Sequence, residues 1–137
     1  MRTIAFDIGT VRIGVAISDA LGMIASPLEV FQRTRSAAAD AKELAELARM
    51  QDAERIVVGL PVSLRGEEEI AARKVREFIA LLAEHAPCEV VTHDERMSTR
   101  IAERAMIAGD VSRMGRRRGI DQVAATVILQ SYLDTQR

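Results

Sequence analysis

The chain has few of the residues that mark secreted, membrane-spanning or base-stacking proteins. Of its 137 residues, one is cysteine, none is tryptophan and 3% are aromatic. A single cysteine, Cys88, excludes an internal disulfide and fits a reducing cytoplasm. No apolar stretch has the length of a membrane span or of a signal-peptide core, so we expect a cytoplasmic protein with no membrane partner. With so few aromatic rings, contacts to a nucleic-acid backbone are favoured over base stacking.

Charge is nearly balanced over the whole chain but unevenly distributed along it. The net charge of -1 excludes a protein that is basic over its entire surface. Residues 96–119, however, hold seven arginines against two acids, Glu103 and Asp110. A basic segment on a near-neutral chain predicts a localised contact with a polyanion. The length and the 48% hydrophobic content indicate one globular domain over residues 1–137.

The hydrophobic pattern predicts the element order βββαβαβαα. Two β-branched runs meet at Gly9-Thr10 as a hairpin, and the third strand contains Pro27, which indicates a sheet edge. Strands and helices then alternate, as in crossover connections. We therefore predict an α/β fold with a mixed five-stranded sheet, three antiparallel strands followed by two parallel ones, and helices on both faces. The expected strands are 3–10, 12–19, 24–32, 54–61 and 88–93; the helices 36–51, 67–86, 98–108 and 120–133; and the loops 62–66 and 110–119.

Asp7 is an isolated charge in a strongly apolar strand. Ile4, Phe6 and Ile8 surround it, and a charge in a central strand is costly unless it is paired or binds a cation. Clefts in α/β sheets form at strand ends, which makes acids at those points candidate ligands.

Three further acids occupy such points. Asp94 and Glu95 follow the fifth strand, and Asp121 opens the last helix. Together with Asp7 they would form the oxygen-rich shell that Mg²⁺ or Mn²⁺ prefers. Asp94 and Glu95 are adjacent and so point to opposite sides of an extended segment, which leaves one of the two as a ligand of the same metal. A fifth acid, Asp19, fits a turn between strands two and three better.

Structural roles would also explain Asp94, Glu95 and Asp121, whereas the apolar neighbours of Asp7 make such a role less fitting there. Asp121 in a first helical turn would stabilise the helix dipole without binding a metal. Asp94 and Glu95 would serve as solvated turn residues or pair with Arg96 or Arg100. Spacing alone leaves these alternatives open.

Four blocks of the sequence together span nearly the whole chain: DIGTVRIGVAISD at 7–19, GLP at 59–61, DERMST at 94–99 and DQVAATVILQSYL at 121–133. In these motifs and in their order the chain resembles the YqgF family, also called RuvX. The resemblance implies a ribonuclease H-like fold and a metal-dependent endonuclease of class EC 3.1. It implies 5′-end processing of the 16S ribosomal RNA precursor in ribosome biogenesis, resolution of Holliday junctions, or both.

The same resemblance assigns the catalytic site. It implies that Asp7, Glu95 and Asp121 are the catalytic residues and hold Mg²⁺ or Mn²⁺. Ribonuclease H-like enzymes usually take an acid from the end of the fourth strand, but residues 59–65 contain none. As in other YqgF-like sequences, the block that begins at Asp94 takes that place.

An arginine-rich segment directly precedes Asp121. We predict that residues 113–119 form an open loop, with Gly115 and Gly119 freeing its backbone, and that its arginines clamp phosphate. Arg12, just past the Gly9 turn, is expected to reach the same phosphate. A solvated run of charge is the alternative. The predicted nucleic-acid-binding residues are Arg12, Arg96, Arg113, Arg116, Arg117 and Arg118.

Two other functions remain open at this point. A ribosome-maturation factor that binds nucleic acid without cleaving it would keep the arginines and not need Glu95. An actin-like phosphotransferase would use residues 7–10 as a phosphate loop, but such enzymes need two lobes around ATP. The partner is either a ribosomal RNA precursor or branched DNA; a junction resolvase needs two active sites and hence a homodimer.

Overall fold

A mixed five-stranded sheet forms the centre of the molecule. The computed structural model describes residues 1–61, 66–94 and 113–136, and of residues 66–68 and 113–122 only the backbone. The strands are β1 Thr3–Ile8, β2 Arg12–Ser18, β3 Ala25–Gln32, β4 Arg55–Leu60 and β5 Glu89–Asp94. The helices of the described ranges are α1 Ala37–Met50, α2 Gly66–His85 and α3 Arg113–Thr135. The predicted helix at 98–108 lies outside these ranges.

The strand order is β3-β2-β1-β4-β5. β1, β2 and β3 are antiparallel neighbours, and β4 and β5 run parallel to β1. The predicted mixed sheet, the central position of β1 and the edge position of β3 are confirmed. The β2–β3 register shifts between Val15 and Ala16, where Ala16 pairs with Pro27. An edge strand with a bulge is where a residue without a backbone N–H is tolerated.

Helices cover both faces of the sheet, as predicted. On one face Phe6 and Val58 pack in a cluster with side chains of α1 and α2, among them Leu44. On the other face Ala5 and Val57 pack against α3. Successive residues of a strand point to opposite faces, so this division tells which helix each strand residue meets.

The two helices on the first face follow the predicted pattern with small shifts. Ser36 caps α1, its Oγ accepting a hydrogen bond from the N–H of Ala39 at 3.1 Å. α2 begins at Gly66, which was predicted to lie in a loop, and ends before Pro87. Its buried stripe contains Ala72 in place of the predicted Ala71.

α3 corrects the prediction at the end of the chain. The segment predicted as a loop up to Gly119 is helical from Arg113 onwards, so Gly115 and Gly119 lie within a helix and not in an open backbone. Arginine and methionine are good helix formers, and the two glycines cost about 1 kcal/mol each. A long helix whose C-terminal half is buried can extend through such a segment, because helical stability in proteins comes mainly from tertiary packing.

The buried face of α3 also differs from the predicted one. We expected Ile120, Val123, Ala124, Val127 and Ile128 to share that face. Val123 and Val127 are only half-buried. The buried residues are Ala124, Ala125, Ile128, Leu129, Tyr132 and Leu133. No helix in the described ranges is long and apolar enough to cross a membrane.

Candidate metal and nucleic-acid site

Asp7 lies near the end of the central strand, on the side of the sheet that α3 covers. Residues 3, 5 and 7 share that side because strand residues alternate, and Ala5 belongs to the cluster formed with α3. Asp7 itself is half-buried. The carboxylate is thus at the end of a buried strand and close to the margin of the helix that covers it.

The strand positions beside Asp7 are glycines. Gly14 of β2 lies directly opposite Asp7. In β4, Val58 pairs with Phe6. The next residues of the two strands, Gly59 and Asp7, are therefore level with each other. Gly59 in turn pairs with His93 of β5. Glycines at such strand positions often mark a place where a ligand or another backbone approaches closely.

The sequence analysis did not single out Gly14 as part of the site. The signal was present, because an isolated glycine inside a β-branched run often marks a place where a ligand or backbone approaches closely. That the glycine lies opposite the acid follows only from the register.

α3 runs with its N-terminal turns toward the C-terminal ends of β1, β4 and β5. Near its C-terminus, Tyr132 Oη accepts a hydrogen bond from Arg55 Nη1 at 2.8 Å, and Arg55 begins β4. Gln130 Oε1 accepts one from the N–H of Ala25, which begins β3, at 2.9 Å. The start of the helix therefore extends toward the C-terminal end of β1, where Asp7 lies.

This orientation relates position 121 to Asp7. Ala125 packs in the same cluster as Ala5. Position 121 is one helical turn before Ala125 on the same helix face, and Asp7 is two residues beyond Ala5 on the same side of β1. The structure thus brings the backbone at 121 and Asp7 to the same junction of helix and sheet.

The alternation of β5 decides which face of the sheet Asp94 occupies. Val90 packs with the α2 side of the sheet and Val91 with the α3 side. Asp94, the last residue of β5, therefore shares the α2 side and lies on the face opposite Asp7. Glu95 and Arg96 lie outside the described residues.

The carboxylate of Asp7 suits a hard divalent cation. Asp7 offers oxygen ligands in a half-buried position with glycines beside it, which is the donor type that Mg²⁺ and Mn²⁺ prefer. No group of three potential ligands occurs among the side chains that the structure describes. Of the predicted set, Glu95 and the side chain of Asp121 are not among them.

His93 joins β5 to α3. Its Nε2 lies 2.9 Å from Ser131 Oγ in a hydrogen bond, and its ring meets Tyr132 edge-on at 5.8 Å between centroids. Burial lowers the pKa of His93 below its ordinary value, although the charge of Asp94 opposes the shift. These contacts fit the structural role that a histidine at a strand end usually has.

Four of the arginines predicted to bind nucleic acid belong to α3 and one belongs to β2. Arg12 is the first residue of β2. Positions 117 and 118 come seven residues, or two turns, before the buried Ala124 and Ala125, so they lie on the sheet-facing side of α3. Position 116 is instead five turns before the exposed Asp134 and in line with it.

The start of α3 concentrates positive charge. Its first turn contains no acid, and Arg113, Arg116, Arg117 and Arg118 all fall within its first six residues. Cations at a helix N-terminus oppose the helix dipole and are normally avoided there. All four are among the arginines predicted to bind nucleic acid.

A separate cavity lies at the other end of the strands, where β1 and β4 begin. It has a volume of about 280 Å³ and is lined by residues that include Met1, Leu21, Arg55 and Tyr132. Nothing in its lining belongs to the predicted site. The cavity is therefore distinct from the predicted metal site at Asp7.

Comparison with solved structures identifies the fold. RuvC of Thermus thermophilus, solved in complex with a Holliday junction substrate, aligns with a TM-score of 0.59 at 17% identity, over 99% of this chain and 95% of that one. The fowlpox virus Holliday junction resolvase also aligns with a TM-score of 0.59, at 14% identity, over 98% and 99% of the two chains. These likenesses confirm the predicted ribonuclease H-like fold.

Closer relatives are found at the sequence level. A protein of Halalkalibacterium halodurans named "Putative pre-16S rRNA nuclease" is 43% identical over 100% of this chain and 99% of its own length. Proteins of the same name from Fusobacterium nucleatum and Symbiobacterium thermophilum are 45% and 46% identical, each over 99% of this chain and over 99% and 94% of their own lengths. The family model described as "RuvX: Holliday junction resolvase" matches residues 1–135. The chain therefore belongs to the RuvX family.

Proposed function

We propose that this chain is a divalent-metal-dependent endonuclease of class EC 3.1 that hydrolyses phosphodiester bonds in structured nucleic acid. The observation that carries the proposal is the placement of Asp7 on the central strand, between Gly14 and the level of Gly59, at the junction with the start of α3. The names of the relatives support the 16S ribosomal RNA precursor as the main substrate, and the family resemblance implies processing of its 5′ end. The family description supports Holliday junctions as a further substrate.

In this proposal Asp7, Glu95 and Asp121 are the catalytic residues and hold Mg²⁺ or Mn²⁺. When bound, such a cation supplies positive charge to the phosphate and lowers the pKa of bound water. The contribution of the chain is to fix the ligands. β1, buried on both faces, fixes the position of Asp7, and α3 fixes the backbone at 121 through its packing on Ala5.

The alternation of β5 favours Glu95 over Asp94 as the third ligand. Asp94 lies on the face opposite Asp7, as the packing of Val90 and Val91 shows. From that face Asp94 is poorly placed to bind the same metal as Asp7. This supports the assignment of Glu95 that the family resemblance implies.

The arginines would hold the phosphate backbone of the substrate. Arg12, Arg96 and the four arginines at the start of α3 are the proposed contacts, and arginine suits them because its planar fork binds phosphate in two places. Helical geometry favours positions 117 and 118 as those nearest Asp7. Contacts of this kind recognise the shape of the backbone without reading base sequence.

The proposed partners differ in the assembly that they require. Processing of one RNA end needs one active site. Symmetric cleavage of a four-way junction needs two, and for that activity we propose a homodimer.

Cleavage assays on purified protein test the proposal. A 16S precursor fragment with its 5′ extension, a four-way DNA junction and a linear duplex are incubated with Mg²⁺ or Mn²⁺, and with EDTA as a control. We expect cleavage of the structured substrates that EDTA abolishes. Binding that survives EDTA, with no product on any substrate, would contradict the proposal and favour a maturation factor that binds without cleaving.

A further inference from the structure

We propose that Arg33 is a positioning residue, which holds the turn after Asp7 in place for metal and phosphate binding. The inference rests on the proposed nuclease function. We call the turn of residues 9–12 the β1–β2 turn. It follows Asp7 by two residues and ends at Arg12, so its conformation affects both a proposed metal ligand and a proposed phosphate contact.

The β1–β2 turn has a tight and specific geometry. The N–H of Gly9 donates to the carbonyl of Arg12 at 2.9 Å. A Cβ atom at position 9 would come within 2.5 Å of that same carbonyl oxygen, so the turn requires glycine.

Arg33 contacts this turn at two points. Its backbone N–H donates to the carbonyl of Val11 at 3.0 Å, and its side-chain Nη1 donates to the carbonyl of Gly9 at 2.8 Å. The two bonds reach opposite ends of the turn from one residue. The guanidinium also lies over the ring of Phe78 of α2, 5.1 Å from the ring centroid, in a cation–π contact.

A fully buried carboxylate orients Arg33. Asp40 of α1 has no exposed surface, and its Oδ2 lies 3.5 Å from Arg33 Nε. Thr34 donates to the same carboxylate from its backbone N–H at 3.1 Å and from its hydroxyl at 2.7 Å. A buried charge with several partners in fixed geometry allows its arginine few alternative positions.

This arrangement links the helical layer on one side of the sheet to the site on the other. Asp40 and Phe78 belong to α1 and α2, whereas Asp7 faces α3. Arg33 connects the two through the carbonyl of Gly9. Lysine cannot replace it, because a single ammonium lacks the fork needed to reach Gly9, Asp40 and the ring of Phe78 together.

Arg49 provides a matched control. It also bonds one carboxylate and one backbone carbonyl, through Nη1 to Glu46 at 2.7 Å and through Nη2 to the carbonyl of His85 at 3.3 Å. It contacts no residue of the β1–β2 turn in these bonds. The pair Arg33→Met and Arg49→Met separates loss of an arginine in general from loss of the contact to the turn.

The experiment measures four quantities on Arg33→Met, Arg33→Lys and Arg49→Met. They are the melting temperature, amide hydrogen exchange at Gly9, the Mn²⁺ concentration for half-maximal cleavage, and the Kd for a four-way junction in EDTA. For both Arg33 variants we expect faster exchange at Gly9 than in the wild-type protein. We expect the Mn²⁺ requirement to rise about tenfold, the scale typical of losing a residue that orients metal ligands. Junction affinity should fall by a smaller factor. For Arg49→Met only the melting temperature should change.

Two outcomes are kept apart by these measurements. If the wild-type protein cleaves and the Arg33 variants match Arg49→Met in Mn²⁺ requirement and in exchange at Gly9, the positioning role is wrong while the nuclease function stands. If the wild-type protein cleaves nothing, the nuclease function is wrong, and unchanged exchange at Gly9 in Arg33→Lys would overturn the contact to the turn independently. Arg33→Lys keeps the charge and so guards against a variant that fails to fold.

Discussion

Asp7 and Gly14 lie directly opposite each other in the antiparallel ladder of β1 and β2, on the side of the sheet that faces α3. The pairing leaves the carboxylate without a side chain across from it. Residues opposite each other in such a ladder have Cβ atoms about 5 Å apart, so any side chain at position 14 would border the carboxylate. The proposed metal site therefore depends on glycine at a position that contributes no ligand.

Enlarging position 14 should impair the site. We expect Gly14→Ala to reduce cleavage slightly and Gly14→Val to reduce it at least about tenfold, with a higher Mn²⁺ requirement, because the larger side chain fills the space beside Asp7. Circular dichroism and the melting temperature check that both variants fold. Full activity of a folded Gly14→Val would show that the space beside Asp7 is not used.

Removing the charge of Asp7 should abolish cleavage and preserve the fold. We expect Asp7→Asn to lose more than the factor of about 10–100 that is typical of losing an outer partner of a metal site. Its melting temperature should not fall greatly, because a half-buried charge is exchanged for a neutral group of similar size. Junction binding in EDTA should persist.

Asp19→Asn is the control for Asp7→Asn. It makes the same chemical change in the turn between β2 and β3, at the end of the sheet where β1 begins. Cleavage by this control should equal that of the wild-type protein. Comparable loss in both variants would contradict a specific role for Asp7.

Arginines on different sides of α3 should contribute unequally to binding. Position 118 lies two turns before the buried Ala125, whereas position 116 is in line with the exposed Asp134. Arg118→Gln and Arg116→Gln each remove one positive charge within the same two turns. We expect Arg118→Gln to weaken junction binding and to lower the slope of log K against log salt by about 1, and Arg116→Gln to change that slope much less. Equal slopes would mean that the binding surface does not follow the sheet-facing side of the helix.

The contact between Arg55 and Tyr132 should stabilise the fold without affecting activity. Arg55 Nη1 donates to Tyr132 Oη, and within the described residues its buried Nε has no partner. The hydrogen bond to Tyr132 raises the pKa of Arg55 above its ordinary value. Tyr132→Phe should lower the free energy of unfolding by about 1.5–3 kcal/mol, as expected for a hydrogen bond to a charged group.

A double-mutant cycle measures this contact directly. The cycle compares the loss in free energy of unfolding for Tyr132→Phe, for Arg55→Met and for the double variant. If the loss in the double variant equals or exceeds the sum of the two single losses, the hydrogen bond contributes nothing to stability. Cleavage by Tyr132→Phe should stay at the wild-type level, since the contact lies at the opposite end of α3 from the proposed site.

Asp19 should make stability depend on pH in the acid range. Its carboxylate accepts hydrogen bonds from the N–H groups of Ile24 and Met23, which lower the pKa of Asp19 below its ordinary value of 3.8. A lowered pKa in the folded state means that this stabilisation is present above pH 3.8 and is lost as pH falls through the folded pKa. The difference in melting temperature between wild type and Asp19→Ala should therefore shrink from pH 7 to pH 3. A constant difference would contradict the charged hydrogen bonds.

The strands were predictable because their signals are local. β-branched runs, the Gly9 turn and Pro27 identify β1, the hairpin and an edge strand without knowledge of the partner strands. The apolar neighbours of Asp7 likewise predict a central strand from sequence alone. Ser36 and the alanine spacing of α1 predict a helix that the structure confirms.

The last helix was less predictable because its sequence is ambiguous. Residues 120–129 are apolar on nearly every side, so several faces satisfy a period of 3.6 residues equally well. The segment before them mixes good helix formers with two glycines, and neither a loop nor a helix is strongly favoured. Packing on Ala5 and Val57 selects the face that carries Ala125 and Ile128.

The sequence by itself determined the order of the elements, the family and the acids that are candidates for the site, because periodicity and motifs are properties of neighbouring residues. Tertiary structure alone decided that Gly14 lies opposite Asp7, that Asp94 lies on the other face, and that Arg33 joins Asp40 to the turn at Gly9. These relations depend on strand register and on the packing of helices against the sheet. Both are set by contacts between residues far apart in the chain, which no local pattern encodes.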